Sequence, residues 1–280
     1  MKVLVTGTNG QLGYDVCKEL EYRKIEYLGT TRNELDLCDE QSIKSCILSY
    51  KPDVVIHCAA YTAVDKAEDE PELAYKANVE GTRQIALACK RTGAKLLYIS
   101  TDYVFHGDGE QFYEVDDEVN PIGIYGKTKL EGEIAVRELL DRYFIVRISW
   151  VFGKNGSNFV KTMLHLSETR DELNVVCDQI GSPTYTKDLA QLLCDMVLSD
   201  KYGTYHVTND GVCSWAEFAS EIFALAGKDI KVNSIPSTQY PTRAKRPLNS
   251  RMSKKSLKDA GFKGLPHWKD ALSRYLNEIR

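Results

Sequence analysis

The chain begins with a short apolar run, Val3 to Val5, followed at once by glycines at positions 7, 10 and 13 and by a helical pattern from about Gln11 to Tyr22. A buried strand that ends in a glycine turn and feeds a helix brings backbone N–H groups to the positive end of that helix, where an anion can be held. The spacing is G-x-x-G-x-x-G rather than the commoner G-x-G-x-x-G. Glycines so placed also serve a simple tight turn. Their position directly behind a strand pattern favours a dinucleotide pyrophosphate held by Gly7, Asn9, Gly10, Gln11, Leu12 and Gly13.

The alternation of short apolar runs with longer helical stretches continues to about residue 150. Expected strands are Val3 to Val5, Glu26 to Gly29, Val54 to His57, Lys95 to Ser100 and Phe144 to Ile148; expected helices cover about 11–22, 40–50, 68–92 and 125–140. Such alternation predicts an α/β fold, a Rossmann-type doubly wound parallel sheet with right-handed crossovers and ligands at the carboxyl ends of its strands. Beyond 150 the spacing becomes irregular, with helices near 157–168, 187–199, 214–226 and from about 267, and a strand at 204–208. The expected organisation is a dinucleotide-binding domain over residues 1–150 and a smaller, interlocked substrate-binding lobe over 151–280.

Composition narrows the function classes. A chain of 280 residues with 43% apolar content can bury a large core, and a net charge of −4 gives no basis for a nucleic-acid or lipid partner. Eight scattered cysteines lack a C-x-x-C pair, and the five histidines show no joint ligand spacing. Reduced, mostly buried thiols suit the cytosol. The first strand follows Lys2 directly, and no apolar run approaches the roughly 20 residues of a membrane span. The expectation is a soluble, cytoplasmic protein.

Tyr125 and Lys129 stand four residues apart, on one face of an expected helix. A phenol has a pKa of roughly 10 in water, and a nearby ammonium favours its ionised form. Thr101 follows the expected strand Lys95 to Ser100 and could bond the same substrate oxygen. Two hydroxyls aimed at a carbonyl, one tuned by a lysine, suit ketone reduction by hydride. The alternative is a surface pair on an amphipathic helix; the glycine turn and the Ser-Thr strand end favour the reductive site.

Several motifs together resemble the extended short-chain dehydrogenase/reductase superfamily and, within it, the dTDP-4-dehydrorhamnose reductase family. They are Gly7-Thr-Asn-Gly-Gln-Leu-Gly13, the run Ala59 to Glu68, Ser100-Thr-Asp-Tyr-Val-Phe105, Tyr125-Gly-Lys-Thr-Lys129, Arg147-Ile-Ser-Trp150, Asn158 to Met163, Asp178 to Thr184 and Arg246-Pro-Leu-Asn-Ser250. The first and fourth are shared by the superfamily; the others point to the narrower family. The resemblance implies an NAD(P)H-dependent oxidoreductase that reduces the C4 ketone of a dTDP-sugar, with Thr101, Tyr125 and Lys129 catalytic. Lys129 would also bind the nicotinamide ribose.

The resemblance assigns further residues. Asp36 and Leu37 correspond to an adenine-contacting pair, although Asp36 could instead cap the helix at 40–50. Ala59, Ala60, Tyr61 and Thr62 would flank the cofactor, and Arg32 near the end of the second strand tilts the choice toward NADPH, with NADH possible. Thr101, Asp102 and Trp150 would line the sugar pocket, and Arg243 and Arg246 would meet the diphosphate. Related 4,6-dehydratases carry an Asp-Glu pair after the threonine. Here Asp102-Tyr103 lacks the second carboxylate, which favours reduction over dehydration. Some family members bind Mg²⁺ through glutamates at a dimer contact; here Asp15 and Asp188 are the candidates. Metal binding, and the choice between monomer and homodimer, stay open on this reading, as do an NDP-sugar epimerase and a non-catalytic NADP-binding regulatory subunit.

Overall fold

The computed structural model describes residues 1–279. In the first half of the chain, strands β1 (Lys2–Thr6), β2 (Glu26–Thr30), β3 (Val54–His57), β4 (Lys95–Thr101) and β5 (Tyr143–Ile148) alternate with helices α1 (Gln11–Tyr22), α2 (Glu40–Tyr50), α3 (Val64–Ala67), α4 (Pro71–Tyr75), α5 (Thr82–Thr92) and α6 (Ile124–Leu139). The second half adds β6 (Val151–Phe152), α7 (Phe159–Leu166), β7 (Glu172–Val176), β8 (Ile180–Gly181), β9 (Thr184–Tyr185), α8 (Thr186–Val197) and β10 (Gly203–His206). After these come β11 (Cys213–Ser214), α9 (Trp215–Ala226), β12 (Lys231–Ile235), β13 (Asn249–Ser250), α10 (Lys255–Asp259) and α11 (Trp268–Ile279).

Six parallel strands form the central sheet in the order β10-β5-β4-β3-β1-β2. Strand order reverses between β1 and β3, the switch point at which such sheets open a crevice. The inner strands are apolar at nearly every position because both faces are covered. Val3, Val5, Ile56, Leu97 and Val146 pack against Leu12 and Val16 of α1 and Leu189 and Leu193 of α8. Their neighbours along the strands, Leu4, Val55, Leu96 and Ile145, face the other way, toward Ile43, Ile47, Ile85 and Val136 of α2, α5 and α6. The period-2 alternation of strand side chains thus divides one apolar run between two cores.

The chain returns to this sheet after residue 150: β10 pairs with β5, and α8 packs on the same face as α1. The remaining segments build a third core from Phe152, Val160, Phe218, Ile222, Trp268, Leu272 and Tyr275. A parallel pair, β7 with β12, and a small three-stranded sheet, β11-β8-β13, border it.

Two local expectations change. The helix expected over 68–92 starts at Pro71, which occupies the first helical turn, and contains a π-helical stretch from Lys76 to Gly81. A π stretch inserts one residue into the helical ladder, and here it carries Asn78, whose side chain serves the loop after β3. The cap of α2 is Asp39, which accepts from the Gln41 and Ser42 amides at 2.9 and 3.3 Å. Asp36 is therefore not the cap; its carboxylate instead accepts from the Cys38 amide at 2.9 Å.

Asn209, fully buried, ties the second half together. Its Nδ2 donates to Asp188 and to the Pro266 carbonyl, both at 2.9 Å, and its Oδ1 accepts from the Tyr185 amide at 2.8 Å. Asn209→Ala should destabilise the fold by ~3 kcal/mol, since stranded buried polar groups cost about 1–3 kcal/mol each. Urea unfolding checks this; a loss below about 0.5 kcal/mol, the scale of an ordinary surface substitution, would contradict it.

Candidate active site

The turn after β1 has no room for side chains at two positions. Gly7 has φ +72°, and a Cβ there would lie 2.8 Å from the Ala59 Cα; one on Gly13 would lie 2.3 Å from the Gly7 carbonyl oxygen. Gly10 is the N-cap of helix α1 and supplies no side-chain cap, so the first-turn N–H groups remain available to an anion. From the second half of the chain, Asn155 Nδ2 donates to the Asn9 carbonyl at 2.7 Å and Asn158 Nδ2 donates to Gln11 Oε1 at 3.0 Å. This close-packed, uncapped cradle fits a dinucleotide pyrophosphate.

A cavity of about 1280 Å³ runs from this turn along the carboxyl edge of the sheet into the smaller lobe. Its wall includes Gly7, Asn9, Gly10, Gln11, Leu12, Gly13, Arg32, Asp36, Leu37, Ala59, Ala60, Tyr61 and Thr62, and further along Thr101, Asp102, Tyr125, Lys129, Trp150 and Arg246. Arg243 is absent from that wall. Its guanidinium lies outside, donating to Asp69 at 2.7 and 3.0 Å, so the structure does not bring it to the site expected for it.

At one end, Asp36 is held below the usual carboxylate range by the Cys38 amide and by Arg32 at 3.3 Å. The Arg32 side chain is 73% exposed, so it can turn toward a ligand phosphate. Beside it, Asn78 clasps the loop after β3: its Oδ1 accepts from the Tyr61 amide at 2.8 Å, and its Nδ2 donates to the Tyr61 carbonyl at 3.1 Å. Sequence reasoning missed Asn78 because a lone asparagine within an amphipathic helix carries no pattern.

At the middle of the cavity the Thr101 and Tyr125 hydroxyls lie near enough for Thr101 to influence the phenol. The Thr101 hydroxyl also lies 2.9 Å from Asp102 Oδ1, and the Ser250 hydroxyl donates to Asp102 Oδ2 at 2.5 Å. Burial raises the Asp102 pKa to about 6 against these bonds. Burial, reinforced by the Asp102 charge, also pushes the Tyr125 phenol above its ordinary range. Lys129 sits beneath, its Nζ 4.1 Å from the Tyr98 ring centroid. Burial lowers its pKa to about 7, while Glu133 and Cys58 oppose that fall. Burial thus acts on the phenol in the direction opposite to that expected of Lys129.

Toward the other end of the cavity, Trp150 stacks on Trp215 with ring centroids 3.7 Å apart, and Phe159 lies 4.6 Å from Trp215. Trp150 has φ +48°, a strained conformation for a bulky residue. Its ring occupies the space over Gly181, where a Cβ would come within 2.8 Å. Arg246 donates to Asp65 at 2.8 Å and to the Tyr103 hydroxyl at 3.3 Å. Trp215, unlike Trp150, follows no recognisable strand-end motif and was not singled out from sequence.

The carboxylates considered for Mg²⁺ are already engaged. Asp15 accepts from the Thr186 hydroxyl, and Asp188 takes two bonds from Arg274 at 2.7 Å each and one from Asn209. A bidentate guanidinium fills the lone-pair sites of Asp188 that a cation would need, whereas Asp15 accepts only the one hydroxyl bond. Among the described residues there is no cluster of three or more acidic, histidine or cysteine side chains suited to a metal.

A doubly wound parallel sheet, a glycine cradle and a threonine at a strand end beside a Tyr-Lys pair on the following helix define an extended short-chain dehydrogenase/reductase. The family model described as the RmlD substrate binding domain matches residues 1–280. The chain is 44% identical over 277 residues to a spore coat polysaccharide biosynthesis protein, SpsK, of Bacillus subtilis, covering 99% of this chain and 97% of that one. It is also 44% identical over 262 residues to the dTDP-4-dehydrorhamnose reductase of Aggregatibacter actinomycetemcomitans, covering 89% of each. A crystal structure of dTDP-4-dehydrorhamnose reductase from Bacillus anthracis in complex with NADP superposes with TM-score 0.96 at 43% identity, covering 99% of both chains. The chain belongs to the dTDP-4-dehydrorhamnose reductase family.

The buried lysine makes stability depend on pH. Lys129 titrates near 7 when folded, against 10.5 in the ordinary state. Between those values the unfolded chain carries a proton that the folded protein lacks, so unfolding free energy rises with pH in that window. Relative to Lys129→Met, the protein should therefore gain stability from about pH 7 to about pH 9, by at most ~1.4 kcal/mol per unit. Urea titrations at the two values check this, and a pH-independent difference contradicts it.

Proposed function

We propose that the chain reduces the C4 ketone of dTDP-4-dehydro-L-rhamnose to give dTDP-L-rhamnose, a precursor for cell-surface polysaccharide, with NADPH as preferred reductant and NADH as an alternative. The observation that carries this reading is the Thr101–Tyr125 hydroxyl pair above Lys129, in one cavity with the glycine turn. The names of the relatives support the substrate class, and the NADP complex of the Bacillus anthracis relative supports the cofactor.

Held by Gly7 to Gly13, Ala59 to Thr62 and Lys129, the reduced nicotinamide would supply a hydride. Ketone reduction also needs an acid that keeps its proton until charge develops on the carbonyl oxygen. Tyr125 meets that need, because burial and Asp102 hold its proton in place. Thr101 orients the phenol and presents a second hydroxyl to the same oxygen. Once Tyr125 Oη has given up its proton, Lys129 Nζ offsets the phenolate charge and, with a pKa of about 7, can pass on a proton at neutral pH.

The nucleotide half of the substrate would occupy the part of the cavity lined by Phe159 and Trp215, with Trp150 toward the sugar and Arg246 toward the diphosphate. Remote binding of this kind positions the reacting carbon. Dehydration is disfavoured: Asp102 is tied to Ser250 and Thr101, and the next residue is Tyr103, whose hydroxyl is taken by Arg246 and whose pKa is pushed up to about 12 by burial. We assign the dinucleotide to residues 1–150 and the sugar nucleotide to residues 151–280, and place the reaction in the cytoplasm. Among the described residues no helix is long and apolar enough to cross a membrane.

With dTDP-4-keto-6-deoxyglucose as starting compound, NADPH absorbance should fall only when a 3,5-epimerase is present. Tyr125→Phe should lower kcat by about 10²–10⁴-fold, the usual worth of a general acid, with KM changing far less. An unaffected kcat would remove Tyr125 from the chemistry. No absorbance loss in any combination, with cofactor co-purifying instead, would favour an epimerase.

A further inference from the structure

Helix α6 carries a third residue in the column begun by Tyr125 and Lys129. Glu133 is four residues beyond Lys129, on the same helical face, and is fully buried. Its Oε1 accepts from the Ser100 hydroxyl at 2.6 Å and from Arg147 Nε at 2.9 Å; its Oε2 accepts from Arg147 Nη2 and Arg137 Nη2, both at 2.8 Å. Ser100 immediately precedes Thr101 on β4, and Arg147 is on β5. One carboxylate thus joins the helix that carries Tyr125 and Lys129 to the strand that carries Thr101.

We propose that Glu133 is a positioning residue for the proton-donating group: it fixes α6 against the ends of β4 and β5 and supplies the negative charge that favours the cationic form of Lys129. This rests on the reductase reading above for its effect on turnover, though not for its effect on Lys129 itself. The groups facing Lys129 leave no other anion in that role. Tyr125 of α6 and Tyr98 of β4 are neutral phenols, with ionisation disfavoured by burial. His57 of β3 is uncharged, its pKa lowered to about 3 by burial and by Lys129. Cys58 is a thiol that desolvation pushes well above its ordinary range. Asp102, beyond the end of β4, is directed to Thr101 and Ser250. On the positive side stand Arg147 and Arg137, both bound to Glu133, so that this carboxylate is shared between the two guanidinium groups and Lys129. His206, beside Arg147, is held neutral by burial, its pKa lowered to about 3.

The test follows the Lys129 ε-methylene resonance by NMR in lysine-labelled protein, assigned by its loss in Lys129→Met, as pH is varied. Glu133→Gln should move the Lys129 midpoint down by about one unit, the lower end of the effect of an opposite charge at this range. Arg137→Gln, at a partly exposed position that folding tolerates, should move it up by a few tenths, since it leaves the carboxylate less compensated. Glu133→Asp should restore the midpoint toward its starting value. In the reductase assay the alkaline limb of kcat should shift with the resonance, while substrate KM changes less than kcat. A Lys129 midpoint unmoved in both Glu133→Gln and Arg137→Gln overturns the proposal; if Glu133→Gln does not fold, an unmoved or downward shift in Arg137→Gln alone does so. The resonance reports on Lys129 whatever the substrate, so absence of reductase activity in the unaltered protein would overturn the functional reading and leave this result standing on its own.

Discussion

The structure depends on a steric constraint at the first turn: the backbone of Gly7 lies so close to Ala59 on one side and to Gly13 on the other that neither glycine can carry a side chain. This contact joins the end of β1, the start of α1 and the loop after β3, the three segments that border the switch point of the sheet. It leaves the N–H groups of α1 facing the crevice. Asn155 and Asn158 of the smaller lobe bind the same turn, so both parts of the chain register on the place where a pyrophosphate would lie.

Burial sets the chemistry of the reactive groups more than pairwise charge does. Tyr125 stays a phenol and Lys129 titrates near neutrality because both have lost water. The cost of desolvation is met by specific bonds: Thr101 and Ser250 to Asp102, and the Glu133 carboxylate with its four donors. A buried carboxylate is tolerated only where it is paired and hydrogen-bonded, and Glu133 is both. Its partner Ser100 adjoins Thr101, and Arg147 lies opposite Ser100 on β5, so the network that stabilises the interior also aligns the site.

Much of this was legible in the sequence. β1, β3, β4 and β5 are continuous apolar runs because both faces of the sheet are covered, and they fall within a residue or two of where composition puts them. Tyr125, Lys129 and Thr101 announce themselves by spacing and by position at a strand end. The two-residue strands β6, β8, β9, β11 and β13 are too short to show any period. Their conformations come from tertiary contacts, such as Thr184 bonding back to Ser149 and Trp150. Arg243 looked like a phosphate ligand because it shares a proline-bounded basic loop with Arg246. Only the fold shows that Asp69 takes one of these arginines and Asp65 the other. Glu133 and Asn78 were hidden for a related reason: a polar residue in an amphipathic helix reads as a solvated face until the packing is known.

The most direct test of the reductase account is isotope transfer from a reduced nicotinamide carrying deuterium at the transferring carbon, with the epimerised dTDP-4-keto-6-deoxyhexose as acceptor and the product read by NMR. The account predicts one deuterium at C4 of a dTDP-6-deoxyhexose with the rhamnose configuration, matched by stoichiometric oxidation of the cofactor. Product formed without deuterium at C4, or substrate returned with only its stereochemistry changed, would contradict it.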